Sequence, residues 1–258
     1  LYYVLTFLQG SRKQVLHTSG MLVLVENFDL KVWQISAILA VSSIVNLVGA
    51  PYLVIERMSG GKKMAAYGPE AEHSANSVYY FASEGQLRGR YDKMHLVPFG
   101  EYVPLVRIFP FLGVFTPMTR NLTPGSIPEV FELEPPGRAS VKFAAPICYE
   151  DVFPELMRRF RQRGAEFFVN ATDEGWYGIP GELGQHEAMA VFRAVETRAT
   201  VVRAANTGVS CFIDPTGKVY RRLQPWTEGV LAGPVWLGPA KSPYVSWGDW
   251  FAWLCVLC

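Results

Sequence analysis

Cys148 stands in Ala145-Pro-Ile-Cys-Tyr-Glu-Asp151, between the end of an apolar run and the start of a helical pattern. A thiol at such a junction feels the partial positive charge of a helix start, which favours the thiolate, the reactive form of cysteine. Taken alone, a cysteine in this setting is more often a small buried hydrophobe. A nucleophilic cysteine also needs a proton acceptor and a group that stabilises the developing oxyanion. His17, His73, His95 and His186 could accept a proton, but none lies in a Cys–His protease signature, and no Gly-x-Ser-x-Gly elbow is present. A carboxylate and an ammonium form another set. Met21-Leu-Val-Leu-Val-Glu26 reads as a buried strand ending in a carboxylate, and the Pro- and Gly-punctuated segment Arg90–Pro104 carries Lys93 and Glu101. Cys255-x-x-Cys258 has the spacing of half a zinc site but lacks a second pair of ligands, so neither a metal nor a cofactor is expected.

These residues need strand ends to hold them. β-rich runs recur at Tyr3–Leu8, Met21–Val25, Leu47–Ile55, Ser77–Phe81, Phe143–Ile147, Phe167–Asn170, Thr200–Ala204 and Ser210–Ile213. Helical patterns lie between them: one capped by Asp151 and running to about Arg163, another over Gln185–Arg198 with Ala188, Phe192 and Val195 on one face. Asp214-Pro-Thr-Gly217 is a turn between two strands. Strands alternating with helices predict an α/β domain. Arg193, Glu196 and Arg198 read as a structural ion-pair network.

Composition narrows the function. Half of the 258 residues are apolar and 18% are charged, which excludes a disordered chain. Lys plus Arg is 24 against 23 for Asp plus Glu, a net of +1, so there is no basic footprint for nucleic acid. Four cysteines do not make a disulfide scaffold. The uncharged stretch Val32–Ile55 is interrupted by Gln34, Ser36, Asn46 and Pro51 and reads as a buried helix followed by a strand. Trp250–Cys258 is different: apolar throughout and preceded by Trp247, it reads as the start of a transmembrane helix cut short. The aromatic run Ile108–Phe115 is either core beneath a loop or an exposed lid facing lipid.

Glu26, Lys93 and Cys148 on three strand ends resemble the Glu-Lys-Cys triad of the nitrilase superfamily. The run Tyr91-Asp-Lys-Met-His-Leu-Val-Pro-Phe-Gly-Glu-Tyr-Val-Pro104 resembles the bacterial apolipoprotein N-acyltransferases in particular. So do Ile147–Glu150, Asn170–Gly178, Gln185–Ala190, Phe192–Arg198 and Arg203–Gly208, in family order from about Leu5 to Asp249. The resemblance implies a four-layer α-β-β-α sandwich over residues 1–240, with residues 241–258 opening a truncated transmembrane helix. It implies Glu26 as general base, Lys93 as oxyanion donor and Cys148 as nucleophile. Glu101 and Glu150 would support Lys93 and the acceptor amine, and Tyr149 and Trp176 would line the acyl or lipoprotein pocket. The implied partners are a phospholipid acyl donor, a diacylglyceryl lipoprotein acceptor and the membrane. The implied place is the bacterial inner membrane, with the catalytic domain on the periplasmic face. Two departures stand out: Leu24-Val25 precedes Glu26 where relatives have Trp-Pro, and only Ser11–Gly20 separates the first two strands. Two other readings are a soluble nitrilase-like amidase acting on a small carbon–nitrogen substrate, and a catalytically dead domain kept for binding.

Overall fold

The computed structural model describes residues 2–9, 75–81, 87–106, 108–109, 111–112, 122–134, 139–174, 180–205, 207–227, 229–237 and 242–257. The expected strands Met21–Val25 and Leu47–Ile55, with Glu26, lie outside the described residues, as does Trp176. The strands are β1 (Tyr2–Gln9), β2 (Ser77–Phe81), β3 (Leu87–Asp92), β4 (Phe131–Leu133), β5 (Val141–Ala144), β6 (Phe167–Thr172), β7 (Thr200–Ala205), β8 (Cys211–Ile213), β9 (Val219–Arg222) and β10 (Gly229–Trp236). A 3-10 turn spans Cys148–Val152, and the helices are α1 (Pro154–Gln162), α2 (Pro180–Thr197), α3 (Pro243–Trp247) and α4 (Trp250–Leu257).

Six strands form one mixed sheet in the order β4-β5-β6-β7-β8-β9. Its centre, β5-β6-β7, is parallel, and the outer pairs are antiparallel. Every residue of β7 is buried, and β6 is nearly so, which is why neither strand alternates apolar and polar residues. Parallel neighbours need crossovers; α1 supplies the one from β5 to β6, and α2 the one from β6 to β7. Two further ribbons, β2-β3 and β1-β10, are antiparallel.

Aromatic rings fill both faces of the sheet. Phe143 stacks on its register partner Phe167 at 5.4 Å, and Tyr80 of β2 meets Phe143 edge-on at 5.3 Å. Phe168, the next residue along β6, points the other way and meets Phe160 of α1, which in turn takes the edge of Tyr91 from β3 at 5.3 Å. Helix α1 begins at Pro154, whose fixed φ suits a first helical position, and buries Leu156, Met157 and Phe160. Buried Arg161 donates to the carbonyls of Thr197 and Ala165, closing the C-terminal end of α2. Arg158 and Gln162 donate to the carbonyls of Tyr244 and Val245, tying α3 to the same helix.

Several sequence expectations change here. Asp151 does not cap α1: Phe153 holds that position, and Asp151 is fully buried in ion pairs. Strand β5 ends at Ala144, with Ile147 joined to Ala171 only by an isolated bridge. Strands β3, β4, β9 and β10 had no clear periodic signal, and β10 even contains Pro234. Phe109 and Phe111, with Ile108, are exposed, so the described part of the aromatic run is not core. All eight residues of α4 are exposed as well, and no helix among the described residues is long and apolar enough to cross a membrane.

Phe160 contacts rings from both β3 and β6 at full burial. Phe160→Ala is expected to cost about 3–5 kcal/mol in chemical denaturation; a loss below about 1 kcal/mol would mean that α1 is not the cover of this face.

Candidate active site

The chain reaches Cys148 from the carboxyl end of β5, the end of a parallel sheet at which ligands are usually bound. Cys148 has φ +52°, a left-handed conformation unusual for a side chain with a Cβ, and costly by about 1–3 kcal/mol unless its surroundings fix it. Asn170 of β6 supplies that fixing: its amide nitrogen donates to the carbonyls of Cys148 at 2.9 Å and Pro146 at 3.3 Å. The thiol sits over the end of β6, with Sγ 4.0 Å from the carbonyl oxygen of Asp173. Burial pushes the thiol pKa up, and Asp151 adds to this, while the Lys93 charge and the Thr172 hydroxyl act in the opposite direction. The net shift is upward. Burial, the largest cause, thus works against the thiolate that a helix start favours.

Lys93 follows β3 directly and is 1% exposed. A buried ammonium is tolerable only when paired, and its Nζ lies 2.7 Å from Glu101 Oε2. Glu101 is itself fixed, accepting from the backbone N–H of Val97 and from the side-chain amide of Asn76, both at 2.9 Å. The Lys93 backbone is held on both sides, donating to Asn76 and accepting from Gly125, each at 2.8 Å. Gly125 must be glycine, since a Cβ there would come within 2.2 Å of the Asp92 carbonyl oxygen. Lys93 is thus no surface charge. Its field reaches the Cys148 thiol and favours the thiolate.

Glu150 links these two segments. Fully buried, it accepts through Oε1 from the Tyr91 hydroxyl at 2.8 Å and the N–H groups of Met94 at 2.7 Å and His95 at 3.1 Å. Through Oε2 it accepts from the Ile147 N–H at 2.8 Å. One carboxylate therefore bonds the residues just after Lys93 and the residue just before Cys148. Burial raises its pKa, against the pull of these donors. It does more than cap a helix. Tyr149 is 38% exposed, with its ring edge on Phe153.

The structure therefore brings together Lys93, Glu101, Cys148, Tyr149 and Glu150. It also shows a group that sequence reasoning missed. Asp151, Glu174, His186 and Arg203 form a buried cluster behind the turn that starts at Cys148. His186 Nε2 lies 2.7 Å from Asp151 Oδ1, and its Nδ1 lies 2.6 Å from Glu174 Oε1. Arg203 joins the same two carboxylates and donates to the His186 carbonyl at 3.0 Å. Gly208 leaves room for Glu174, whose Oε2 would overlap a Cβ at that position. The legible signal was Arg203 itself, a charge inside the otherwise uncharged strand Thr200–Ala205. Of the suggested ion-pair network, Arg193 and Glu196 pair at 2.8 Å, and Arg193 also donates to the Val152 carbonyl.

Burial alone would lower the His186 pKa, but its carboxylate partners raise it. Burial alone would raise that of Glu174, but His186 and Arg203 lower it. A base held above its ordinary range stabilises the fold at low pH and loses that contribution as pH rises through its folded-state pKa. An acid held below its range stabilises at higher pH and loses that contribution on acidification. Glu150, an acid held up, also disfavours high pH. Denaturation followed across pH should therefore show stability falling on acidification below the ordinary carboxylate range, from Glu174, and falling as pH rises above the ordinary imidazole range, from His186, while the Glu150 contribution declines as pH rises from the ordinary carboxylate range. In a His186→Gln protein the alkaline fall should shrink, and an unchanged fall would contradict the assignment.

Residues 49–240 match the carbon-nitrogen hydrolase family. The chain is 40% identical over 181 residues to the apolipoprotein N-acyltransferase of Geobacter metallireducens, covering 70% of this chain and 34% of that one. It is 35% identical over 195 residues to the enzyme of that name from Synechocystis, covering 75% and 36%. The chain thus spans about a third of the length of the curated relatives it matches. Among solved structures, an amidase from Nesterenkonia superposes with a TM-score of 0.50 at 19% identity, over 73% of this chain and 64% of that one. The fold is that of the nitrilase superfamily, and the chain belongs to the carbon-nitrogen hydrolase family.

Proposed function

We propose that this protein is an apolipoprotein N-acyltransferase that moves an acyl chain from a phospholipid to the amine of a diacylglyceryl-cysteine at a lipoprotein N-terminus. The observation that carries this choice is the surface beside the site. The segment that begins with Lys93 and Glu101 continues into exposed Leu105, Ile108, Phe109 and Phe111, with Phe99 exposed between them. Apolar side chains presented this way suit an acyl chain or a lipid surface better than a small polar amide. The names of the matched relatives point the same way.

In this reading Glu26 takes the Cys148 proton as the sulfur attacks the ester carbonyl of the phospholipid. A raised thiol pKa makes such a base necessary. The carbonyl oxygen becomes an oxyanion, which the Lys93 ammonium stabilises. The carbon–oxygen bond then breaks, Glu26 returns the proton to the leaving lysophospholipid oxygen, and a thioester remains on Cys148. The acceptor amine attacks that thioester, an amide bond forms, and the proton released by the amine passes through Glu26 to the departing sulfur. Two easier steps replace one hard transfer. Glu101 positions Lys93, Glu150 holds the Lys93 and Cys148 segments together, and Tyr149 and Trp176 line the acyl or lipoprotein pocket. Residues 241–258, with the exposed apolar helix α4, lead into the membrane. The protein then works at the bacterial inner membrane, with residues 1–240 as the catalytic domain on the periplasmic face.

Incubation of the intact protein with a labelled phospholipid, in the absence of acceptor, tests this directly. Mass spectrometry is expected to find the acyl chain on the Cys148 peptide, released by hydroxylamine as a thioester. Cys148→Ala should abolish it, and Lys93→Ala should slow its formation by about 10²–10³. An unmodified Cys148 together with turnover of a small amide would overturn the proposal in favour of an amidase; an unmodified Cys148 with no turnover would indicate a binding domain.

A further inference from the structure

The buried Asp151–His186–Glu174–Arg203 cluster has no part in the steps above, yet it touches both segments that carry the thiol. Asp151 belongs to the 3-10 turn that starts at Cys148. Glu174 follows Asp173, whose carbonyl oxygen faces Sγ, and its Oε2 accepts from the Val209 N–H at 3.1 Å. Arg203 comes from β7 and His186 from α2, so four elements meet at one point.

The charges of this cluster matter because the two acids and Arg203 are fully buried and His186 nearly so. Two carboxylates against one guanidinium leave one negative charge, which only a protonated His186 cancels. The groups facing His186 are Asp151 from the turn, Glu174 from the end of β6, Arg203 from β7 and, at 6.1 Å between ring centroids, Tyr149. Glu187, its neighbour on α2, is occupied by Arg222 of β9 at 2.9 Å. The cluster is also electrostatically coupled to the nucleophile: Asp151 disfavours the Cys148 thiolate, and Arg203 interacts with Cys148.

We propose that His186 is a positioning residue for Cys148: as an imidazolium bridging Asp151 and Glu174, it locks the nucleophile turn to the end of β6 and keeps the buried cluster beneath the thiol electrically neutral. The inference rests on Cys148 being the nucleophile of the reading above, but it concerns the thiol before any substrate arrives. A neutral residue at 186 leaves an uncancelled negative charge behind the turn, and thiolate formation becomes harder. Arg203 alone cannot restore the balance, since its single charge is already shared between the two acids.

The test is the pH dependence of iodoacetamide alkylation, read by mass spectrometry on the Cys148 peptide of the intact protein in detergent. No phospholipid is involved, so failure of acyl transfer and failure of this inference are distinguishable. His186→Gln is expected to move the Cys148 alkylation midpoint up by about one pH unit, a roughly tenfold slower reaction at neutral pH. Adding Asp151→Asn removes the surplus negative charge and should return most of that rate. An unchanged profile in His186→Gln overturns the proposal, and so does a slowed reaction that Asp151→Asn fails to rescue, because a loss of packing alone would not respond to charge. Should His186→Gln fail to fold, nitrogen NMR of the unmodified protein decides. Both ring nitrogens of His186 protonated at neutral pH support the inference, and a neutral tautomer there overturns it.

Discussion

A carboxylate with no contact with solvent, bonded at once to two distant parts of the chain, is the constraint on which the site depends. Glu150 accepts from Tyr91, Met94 and His95 on one side and from Ile147 on the other. Neither segment is part of a sheet at that point, since β3 has ended before Lys93 and β5 before Cys148. With Glu150, Lys93 and Cys148 share one set of directional bonds, and buried hydrogen bonds to a carboxyl group are costly to break.

The rest of the site follows the same logic of buried charge met by fixed partners. Lys93 is held by Glu101, Glu101 by Val97 and Asn76, and the cluster behind the turn is held by its own internal pairs. Such groups are expensive to bury and stay where opposite charges meet them. The thiol is the exception. It is shielded enough for its pKa to rise, and it has a lysine near enough to oppose that rise.

Much of this was legible in the residues. The β-rich runs at Ser77–Phe81, Phe167–Asn170 and Thr200–Ala204 became strands within about two residues of their expected bounds, because β-branched and aromatic residues are concentrated there. In the punctuated segment Arg90–Pro104, where proline and glycine imply a fixed path, the structure pairs Lys93 with Glu101. Other features were not visible. Phe131–Leu133 and Val219–Arg222 are too short to show a period, and Gly229–Trp236 pairs with β1 despite its proline. Asp151 looked like a helix cap because caps and buried ion-pair partners use the same residue type; only the fold, which brings His186 and Arg203 to it, tells them apart. Glu26 and Trp176 lie outside the described residues, so their roles rest on the resemblance of their surroundings.

The most direct test is an experimental structure of the acyl-enzyme, prepared from the intact protein and a phospholipid with no acceptor present. The expected result is a thioester on Cys148 whose carbonyl oxygen lies within hydrogen-bond distance of Lys93 Nζ, with the Glu26 carboxylate facing the sulfur and Glu150 still joined to Ile147 and Met94. A thioester whose oxygen points away from Lys93, or a Glu26 carboxylate remote from the sulfur, would contradict it.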